Sequence, residues 1–124
     1  MHEPRKIFVA DDDPDILEII RLILQTRGYH VETSSNADEL FLCLKEDLPE
    51  LILMDIWMAG ADGRDICSRL KKNLLTAGIP VVFVSANSHI AAITETCHAD
   101  GFIAKPFEMK ILLQTVQDHL RAAS

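Results

Sequence analysis

Several side chains that could carry out chemistry stand directly after, or at the end of, short apolar runs of the sequence. They are four aspartates, one serine and one lysine: Asp11, Asp12, Asp13, Asp55, Ser85 and Lys105. Close carboxylates repel one another, by about 4 kcal/mol for two unit charges ~4 Å apart at an effective dielectric constant near 20. A hard cation relieves this repulsion, and Mg²⁺ binds carboxylates while keeping positions for water and phosphate oxygens. Because a lysine and a serine can bind phosphoryl oxygens, the set indicates Mg²⁺-assisted phosphoryl transfer to a carboxylate.

An alternation of apolar runs and helical patterns predicts how these side chains are positioned. The runs at 7–10, 29–33, 51–54, 81–84 and 101–104 are typical of strands, and helical patterns separate them. Asp13 before Pro14 and Asn36 before Glu39 are typical of helix N-termini. Five strand–helix repeats predict an α/β fold, a doubly wound parallel sheet with helices on both faces. In such a sheet, binding sites form beyond the carboxyl ends of the strands, where the candidate side chains should meet.

Composition narrows the classes of function. The 124 residues are 48% apolar and 25% charged, which is typical of a folded globular domain and argues against disorder. The formal net charge of −7, without a cluster of basic residues, argues against a nucleic-acid-binding surface. Three widely spaced cysteines favour reduced thiols over a disulfide framework or zinc site, and no apolar run is long enough to span a membrane. We expect one domain over 1–124, in the cytoplasm.

Four stretches of the chain resemble the receiver domain of two-component response regulators, of the type found in chemotaxis regulators. They are IFVADDDP at 7–14, PELILMD at 49–55, IPVVFVSA at 79–86 and ADGFIAKPF at 99–107. Each motif alone is modest evidence, but the four occur in the family's order and spacing across nearly the whole chain. The resemblance implies a flavodoxin-like fold with strand order 2-1-3-4-5, the order known for this class of sheet.

The resemblance also implies a phosphoacceptor and a metal site. Asp55 would accept a phosphoryl group from the phosphohistidine of a sensor histidine kinase or a histidine phosphotransfer protein. Asp12 would bind Mg²⁺ directly and Asp11 mainly through water. Asp55 and the backbone carbonyl of Trp57 would complete the protein ligands, and Lys105 would hold a phosphoryl oxygen, followed by a cis bond to Pro106.

A switch is the third implication of the resemblance. Ser85 would move toward the phosphoryl group and Phe102 would rotate inward behind it, repacking the face made by the fourth helix, fifth strand and fifth helix. That face would contact an output protein or domain, and it could form a phosphorylation-dependent dimer. The domain would not be a metabolic enzyme, because it catalyses only its own phosphorylation and dephosphorylation.

The sequence departs from the family pattern at several positions. Ala59 stands where proline usually precedes the glycine, which should loosen that turn. Ser85 replaces the commoner threonine, and Phe102 the frequent tyrosine, so the switch ring has no hydroxyl. The chain between Ser85 and Lys105 is short, which predicts an abbreviated fourth helix. Trp57 and Asn87 occupy positions that tune dephosphorylation in the family, and we expect the indole of Trp57 to restrict water.

Three other functions fit parts of the pattern. A haloacid-dehalogenase-like phosphatase would use Asp11 as nucleophile and Asp13 as general acid, but it gives Asp55 no role. A flavodoxin-like mononucleotide binder needs a phosphate-cradling loop after the first strand, where aspartates would repel the ligand. A degenerate receiver would act only through protein contacts. Among the other polar residues, we expect Asp13 to cap a helix, the histidines to lie at the surface, and Lys71 and Lys72 to form a solvated helix end.

Overall fold

The computed structural model describes residues 5–58 and 60–123, with side chains up to residue 120. Ala59, and with it the expected loosening of its turn, lies outside these ranges. Five parallel strands form the central sheet: β1 (Lys6–Ala10), β2 (His30–Ser34), β3 (Leu51–Met54), β6 (Val81–Ser85) and β7 (Gly101–Ala104). Two short strands, β4 (Trp57–Met58) and β5 (Ala61–Asp62), pair antiparallel in a separate ribbon.

The order of the sheet is β2-β1-β3-β6-β7, and every neighbouring pair is parallel. When only these five strands are numbered, the order reads 2-1-3-4-5, which confirms the fold class predicted from the sequence. The strands at the centre are buried along their whole length; all four residues of β3 and all five of β6 are buried. A strand covered on both faces needs a continuous apolar run, which explains the sequence of β3.

Five helices cover the two faces: α1 (Pro14–Gln25), α2 (Ala37–Glu46), α3 (Gly63–Lys72), α4 (Ile90–Thr96) and α5 (Met109–Ala123). The predicted caps are confirmed, because Asp13 accepts a hydrogen bond from the Asp15 amide and Asn36 from the Glu39 amide, both at 2.9 Å. The fourth helix spans only seven residues. These caps fix where each helix begins, immediately beyond the carboxyl ends of the strands.

The core consists of two apolar clusters, one on each face of the sheet. Side chains of β1 alternate between them: Ile7 and Val9 pack with α1 and α5, whereas Phe8 packs with α2 and α3. All three are at most 1% exposed. This alternation follows from the two-residue period of a strand, and it holds the sheet rigidly between the helix layers.

Two expectations about surface residues are wrong. Lys71 does not form a solvated helix end; its Nζ lies 2.8 Å from Oδ2 of Asp100 and 2.9 Å from the carbonyl oxygen of Ile79. His119 is half-buried, with its ring against Gly101 and its nitrogens 2.7 and 3.1 Å from two backbone carbonyl oxygens. Both side chains bridge segments that are distant in sequence, which helical spacing alone does not reveal.

Candidate functional site

Main-chain hydrogen bonds carry the sheet pairing past the ends of the strands and so place the acidic residues. The amide of Asp11 donates to the Ser34 carbonyl at 3.1 Å, and the amide of Asp55 donates to the Ala10 carbonyl at 3.0 Å. The amide of Lys105 donates to the carbonyl of Ser85 at 2.9 Å. Because the backbone of these residues is still hydrogen-bonded to a neighbouring strand, their side chains are attached to a rigid edge of the sheet.

Lys105 connects two of the carboxylates directly. Its Nζ lies 2.7 Å from Oδ2 of Asp11 and 3.0 Å from Oδ2 of Asp55. The second oxygen of each carboxylate accepts a main-chain hydrogen bond: Oδ1 of Asp11 from the Asp13 amide at 3.0 Å, and Oδ1 of Asp55 from the Ile56 amide at 2.7 Å. Asp11 is only 2% exposed, whereas 14% of the Asp55 side chain is exposed. Asp55 is therefore the more accessible of the two carboxylates.

The protonation equilibria follow from burial and from these contacts. Burial raises the pKa of Asp11, and the charge of Asp55 adds to the increase, while the hydrogen bonds from Lys105 and the Asp13 amide oppose it. Burial would lower the pKa of Lys105, but its hydrogen bonds to Asp11 and Asp55 outweigh burial and raise it. The lysine is therefore held as an ammonium ion between two acidic groups.

Asp12 joins Asp11 and Asp55 in a cluster that suits a divalent cation. Each offers one carboxylate oxygen, and these atoms all lie within 4.8 Å of one another. Oxygen atoms from carboxylates are the ligands that Mg²⁺ prefers, and one or two of them leave positions for water and phosphate. The donor set therefore fits a hard divalent cation such as Mg²⁺.

The carbonyl of Trp57, the fourth expected ligand, is not used to hold the β4–β5 ribbon together. Trp57 pairs with Asp62, and the adjacent pair is joined by a bond from the Gly63 amide to the Ile56 carbonyl. Hydrogen-bonded and non-hydrogen-bonded pairs alternate along an antiparallel ribbon. Trp57 and Asp62 therefore form a non-hydrogen-bonded pair, in which the carbonyl of Trp57 points away from β5 and remains available for a ligand.

Gly63 allows α3 to pack closely against the backbone of Asp55, a role that the sequence analysis missed. A Cβ atom at this position would lie 2.4 Å from the carbonyl oxygen of Asp55 and 2.8 Å from that of Ile56. The first turn of α3 can therefore pack against the backbone of Asp55 only if residue 63 has no side chain. The available signal was a glycine just after Asp62, a helix-capping residue, where glycine is a poor helix former.

Ser85, at the end of β6, and Phe102, within β7, lie outside the network of carboxylates and lysine. Ser85 is 4% exposed, and its Oγ accepts a hydrogen bond from the Asn87 amide at 3.2 Å. Phe102 is 43% exposed, so its ring points outward in this conformation. The peptide bond between Lys105 and Pro106 is cis, as expected. The structure thus brings Asp11, Asp12, Asp55 and Lys105 together and leaves the two switch candidates apart.

The geometry disfavours a phosphatase that uses Asp11. Asp11 is only 2% exposed, so almost none of its surface is accessible to a substrate, whereas 14% of the Asp55 side chain is exposed. Asp13, the general acid in that alternative, instead caps α1 through Oδ1. A nucleophile must be reachable and a general acid must face the substrate, so neither residue suits its assigned role.

The family model described as response regulator receiver domain matches residues 7–117. The DNA-binding response regulator MtrA of Mycolicibacterium smegmatis is 28% identical over 119 residues, which cover 94% of this chain and 51% of that protein. The chain spans about half the length of the curated relatives it matches.

Solved structures show the same likeness. The receiver domain of a signal transduction histidine kinase from Syntrophus aciditrophicus is 29% identical, with a TM-score of 0.87 and coverage of 95% of this chain and 91% of that chain. The response regulator TrrA of Thermotoga maritima, in complex with Mg²⁺-BeF, is 26% identical, with a TM-score of 0.83 and coverage of 93% and 98%. Within the described ranges, no helix is long and apolar enough to cross a membrane.

Proposed function

Because this chain belongs to the response regulator receiver domain family, we propose that Asp55 accepts a phosphoryl group from a phosphohistidine. The donor would be a sensor histidine kinase or a histidine phosphotransfer protein. One observation carries the proposal: Lys105 bridges the buried Asp11 and the more accessible Asp55 within a cluster of three carboxylates. This arrangement offers a nucleophile, a fixed positive charge and ligands for a cation at one edge of the sheet.

Mg²⁺ fits the proposed site, where Asp11, Asp12, Asp55 and the carbonyl of Trp57 would hold it. When bound, the ion neutralises charge on the phosphoryl oxygens during transfer. The relative TrrA was solved in complex with Mg²⁺-BeF, which supports this choice of ion for a chain of the same family. Carboxylate oxygens within 4.8 Å of one another are the supporting feature of this chain itself.

The residues of this chain would act on the donor as follows. A carboxylate oxygen of Asp55 attacks phosphorus, an O–P bond forms, and the N–P bond breaks with its electron pair left on the imidazole. The ammonium of Lys105, which lies 3.0 Å from Oδ2 of Asp55 before transfer, moves its hydrogen bond to a phosphoryl oxygen. Its second contact, with Asp11, keeps the ammonium oriented during this exchange.

Ser85 and Phe102 would couple the phosphoryl group to the surface. We propose that the Ser85 hydroxyl leaves the Asn87 amide and donates to a phosphoryl oxygen, which vacates space behind it. Phe102, now outward, would turn into that space and change the face made by α4, β7 and α5. An output protein or domain, or a second phosphorylated copy, would recognise the changed face. DNA binding is named for the longer relative MtrA. The net charge of −7 disfavours a nucleic-acid-binding surface on this chain.

The chain would therefore be a signalling domain that catalyses only its own phosphorylation and hydrolysis. The decisive experiment incubates wild type, Asp55→Asn and Asp65→Asn with Mg²⁺ and a small acyl phosphate donor, followed by intact-mass measurement. Asp65 is an exposed aspartate of α3 and serves as a matched control. We expect one phosphoryl group on wild type and Asp65→Asn, and none on Asp55→Asn.

Each other result has a definite meaning. Equal phosphorylation of Asp55→Asn and wild type would overturn the assignment of the acceptor. A phosphoryl group mapped to Asp11 would favour the phosphatase alternative. Absence of phosphorylation in wild type, with and without Mg²⁺, would favour a degenerate receiver that acts only through protein contacts.

A further inference from the structure

An arginine stacks on the aromatic residue that follows the proposed acceptor. Trp57 is the only tryptophan of the chain, and its side chain is 55% exposed at the start of the β4–β5 ribbon. The guanidinium carbon of Arg64, in the first turn of α3, lies 5.2 Å from the centroid of the indole ring. A cation within about 6 Å of an indole face is attracted by the ring, and arginine is the commonest partner.

The same arginine is held in place by the residue opposite Trp57 in the ribbon. Nε of Arg64 lies 3.0 Å from both carboxylate oxygens of Asp62, and Nη2 lies 2.7 Å from Oδ2. Oδ1 of Asp62 also accepts the main-chain amide of Arg64 at 2.9 Å, which caps α3. These hydrogen bonds from Arg64 lower the pKa of Asp62. Trp57, Asp62 and Arg64 thus close a ring of contacts across the ribbon.

The ribbon needs such support because it is very short. Each strand has only two residues, and an isolated two-stranded ribbon is marginally stable even when longer. Burial of Met58 and the bond from the Gly63 amide to the Ile56 carbonyl hold its inner side. The contacts of Arg64 hold its solvent side. The position of the Trp57 backbone therefore depends on both.

We infer that Arg64 is a positioning residue, which clamps the side chain of Trp57 and thereby fixes the Trp57 carbonyl oxygen for Mg²⁺. The part concerning Mg²⁺ rests on the proposed function. Arg64 itself does not touch the ion or the phosphoryl group; it acts through the indole and through Asp62. Loss of the clamp lets the ribbon sample other positions, so the carbonyl is in place for only a fraction of the time.

The single tryptophan supplies a direct probe of the clamp. Wild type, Arg64→Gln, Arg64→Lys and Arg21→Gln are compared by quenching of tryptophan fluorescence with acrylamide, and by calorimetric titration with Mg²⁺. Arg21 forms an exposed ion pair with Glu18 on α1, so its substitution is a matched control. Circular dichroism and urea unfolding verify that each variant is folded under the conditions of the titration.

We expect Arg64→Gln to make Trp57 more accessible to acrylamide and to weaken Mg²⁺ binding by at least about twofold to fivefold, the range set by the exposed cation–π contact alone. Arg64→Lys keeps the positive charge, so its acrylamide quenching and its Mg²⁺ affinity should both lie closer to wild type than those of Arg64→Gln. Arg21→Gln should match wild type in both measurements. Asp62→Asn keeps an oxygen for the helix cap but loses the ion pair, so it should shift both readouts in the same direction.

The inference and the proposed function can fail separately. If wild type binds Mg²⁺ and Arg64→Gln binds it equally well, the inference is overturned and the proposed function stands. Unchanged acrylamide quenching in Arg64→Gln would also overturn the inference, since the clamp would not hold the indole. If wild type does not bind Mg²⁺, the proposed metal site is overturned and this inference with it.

Discussion

The ammonium of Lys105 lies 2.7 Å from Oδ2 of Asp11, a carboxylate that is 2% exposed. This contact joins residues 94 positions apart and leaves the charge of Asp11 compensated inside the protein. Removal of one partner of a buried ion pair leaves an uncompensated charge, which typically costs about 3–5 kcal/mol. The folded protein therefore depends on both partners of the pair being present.

Lys105→Met should lower the free energy of unfolding by about 3 kcal/mol in the absence of divalent cations. Mg²⁺ should restore more of this loss in the variant than it adds to wild type, because the ion supplies the missing positive charge. Urea unfolding with and without Mg²⁺ measures both quantities, and Lys110→Met, at an exposed position of α5, is the control. A variant as stable as wild type without Mg²⁺ would contradict the assigned role of the pair.

Gly63→Ala should displace the backbone of Asp55, the proposed acceptor. The new Cβ would lie 2.4 Å from the carbonyl oxygen of Asp55, a backbone atom that cannot move aside without shifting the acceptor itself. We expect a loss of about 2 kcal/mol in the free energy of unfolding and slower phosphorylation of Asp55. Gly78→Ala is the control, since its Cβ would meet nothing within 4 Å. Equal phosphorylation rates in the two variants would argue against the close packing of α3 on Asp55.

Local signals explain how much of the fold could be predicted. Asp13 and Asn36 cap α1 and α2 as the sequence indicated, because a cap depends on residues two or three positions apart. The run of apolar residues that forms β3 was predicted with its exact bounds, 51–54, because a run this short, introduced by Pro49, is typical of a strand buried on both faces. Asp11, Asp55 and Lys105 each directly follow a strand of the parallel sheet, so their position at one edge of the sheet could be predicted as well.

Features that depend on tertiary contacts could not be predicted. Strands of two residues, such as β4 and β5, are too short to show a period of two. The contact between Arg64 and the Trp57 ring is set by the fold of that ribbon, and the sequence analysis assigned Arg64 no role. Lys71 resembled a solvated residue because its ion-pair partner, Asp100, is 29 positions away.

Lys71→Gln tests that corrected assignment. The ammonium contacts Asp100 and the carbonyl oxygens of Ile79 and Ala77, so it ties the loop after α3 to the start of β7. Hydrogen bonds that involve charged groups contribute about 1.5–3 kcal/mol each at most, and Lys71 is partly exposed, so we expect a loss of about 1–2 kcal/mol. Lys72→Gln, at the exposed neighbouring position, should change the free energy of unfolding by less than about 0.5 kcal/mol. Equal stability of the two variants in thermal and urea unfolding would restore the solvated interpretation.

Cys67 should make stability depend on pH in the alkaline range. Burial raises the pKa of this fully buried thiol from 9.0 to about 11 in the folded protein. Between these values the unfolded chain loses the thiol proton while the folded chain keeps it, so stability present below pH 9 is lost as pH rises toward 11. The loss is about 2–3 kcal/mol, from 1.36 kcal/mol per pKa unit.

The contribution of Cys67 is the difference between wild type and Cys67→Ala. The variant should be less stable at pH 8 because a buried group is removed, but its free energy of unfolding should fall less steeply between pH 9 and 11. Urea unfolding at half-unit steps of pH gives both curves, and the other titrating groups cancel in the comparison. Parallel curves over this range would show that the thiol does not titrate differently in the two states.

Trp57→Asn should shorten the lifetime of the phosphoryl group on Asp55. The indole follows the acceptor by two residues and is held by Arg64, and a ring of this size near the acyl phosphate restricts the approach of a hydrolytic water. Asparagine is smaller and can hydrogen-bond a water molecule, so hydrolysis should be several-fold faster. Trp57→Phe keeps an apolar ring and should stay close to wild type. Intact-mass measurements after removal of the donor give the rate at which the phosphorylated form decays. If Trp57→Asn loses phosphate no faster than wild type, the indole has no shielding role.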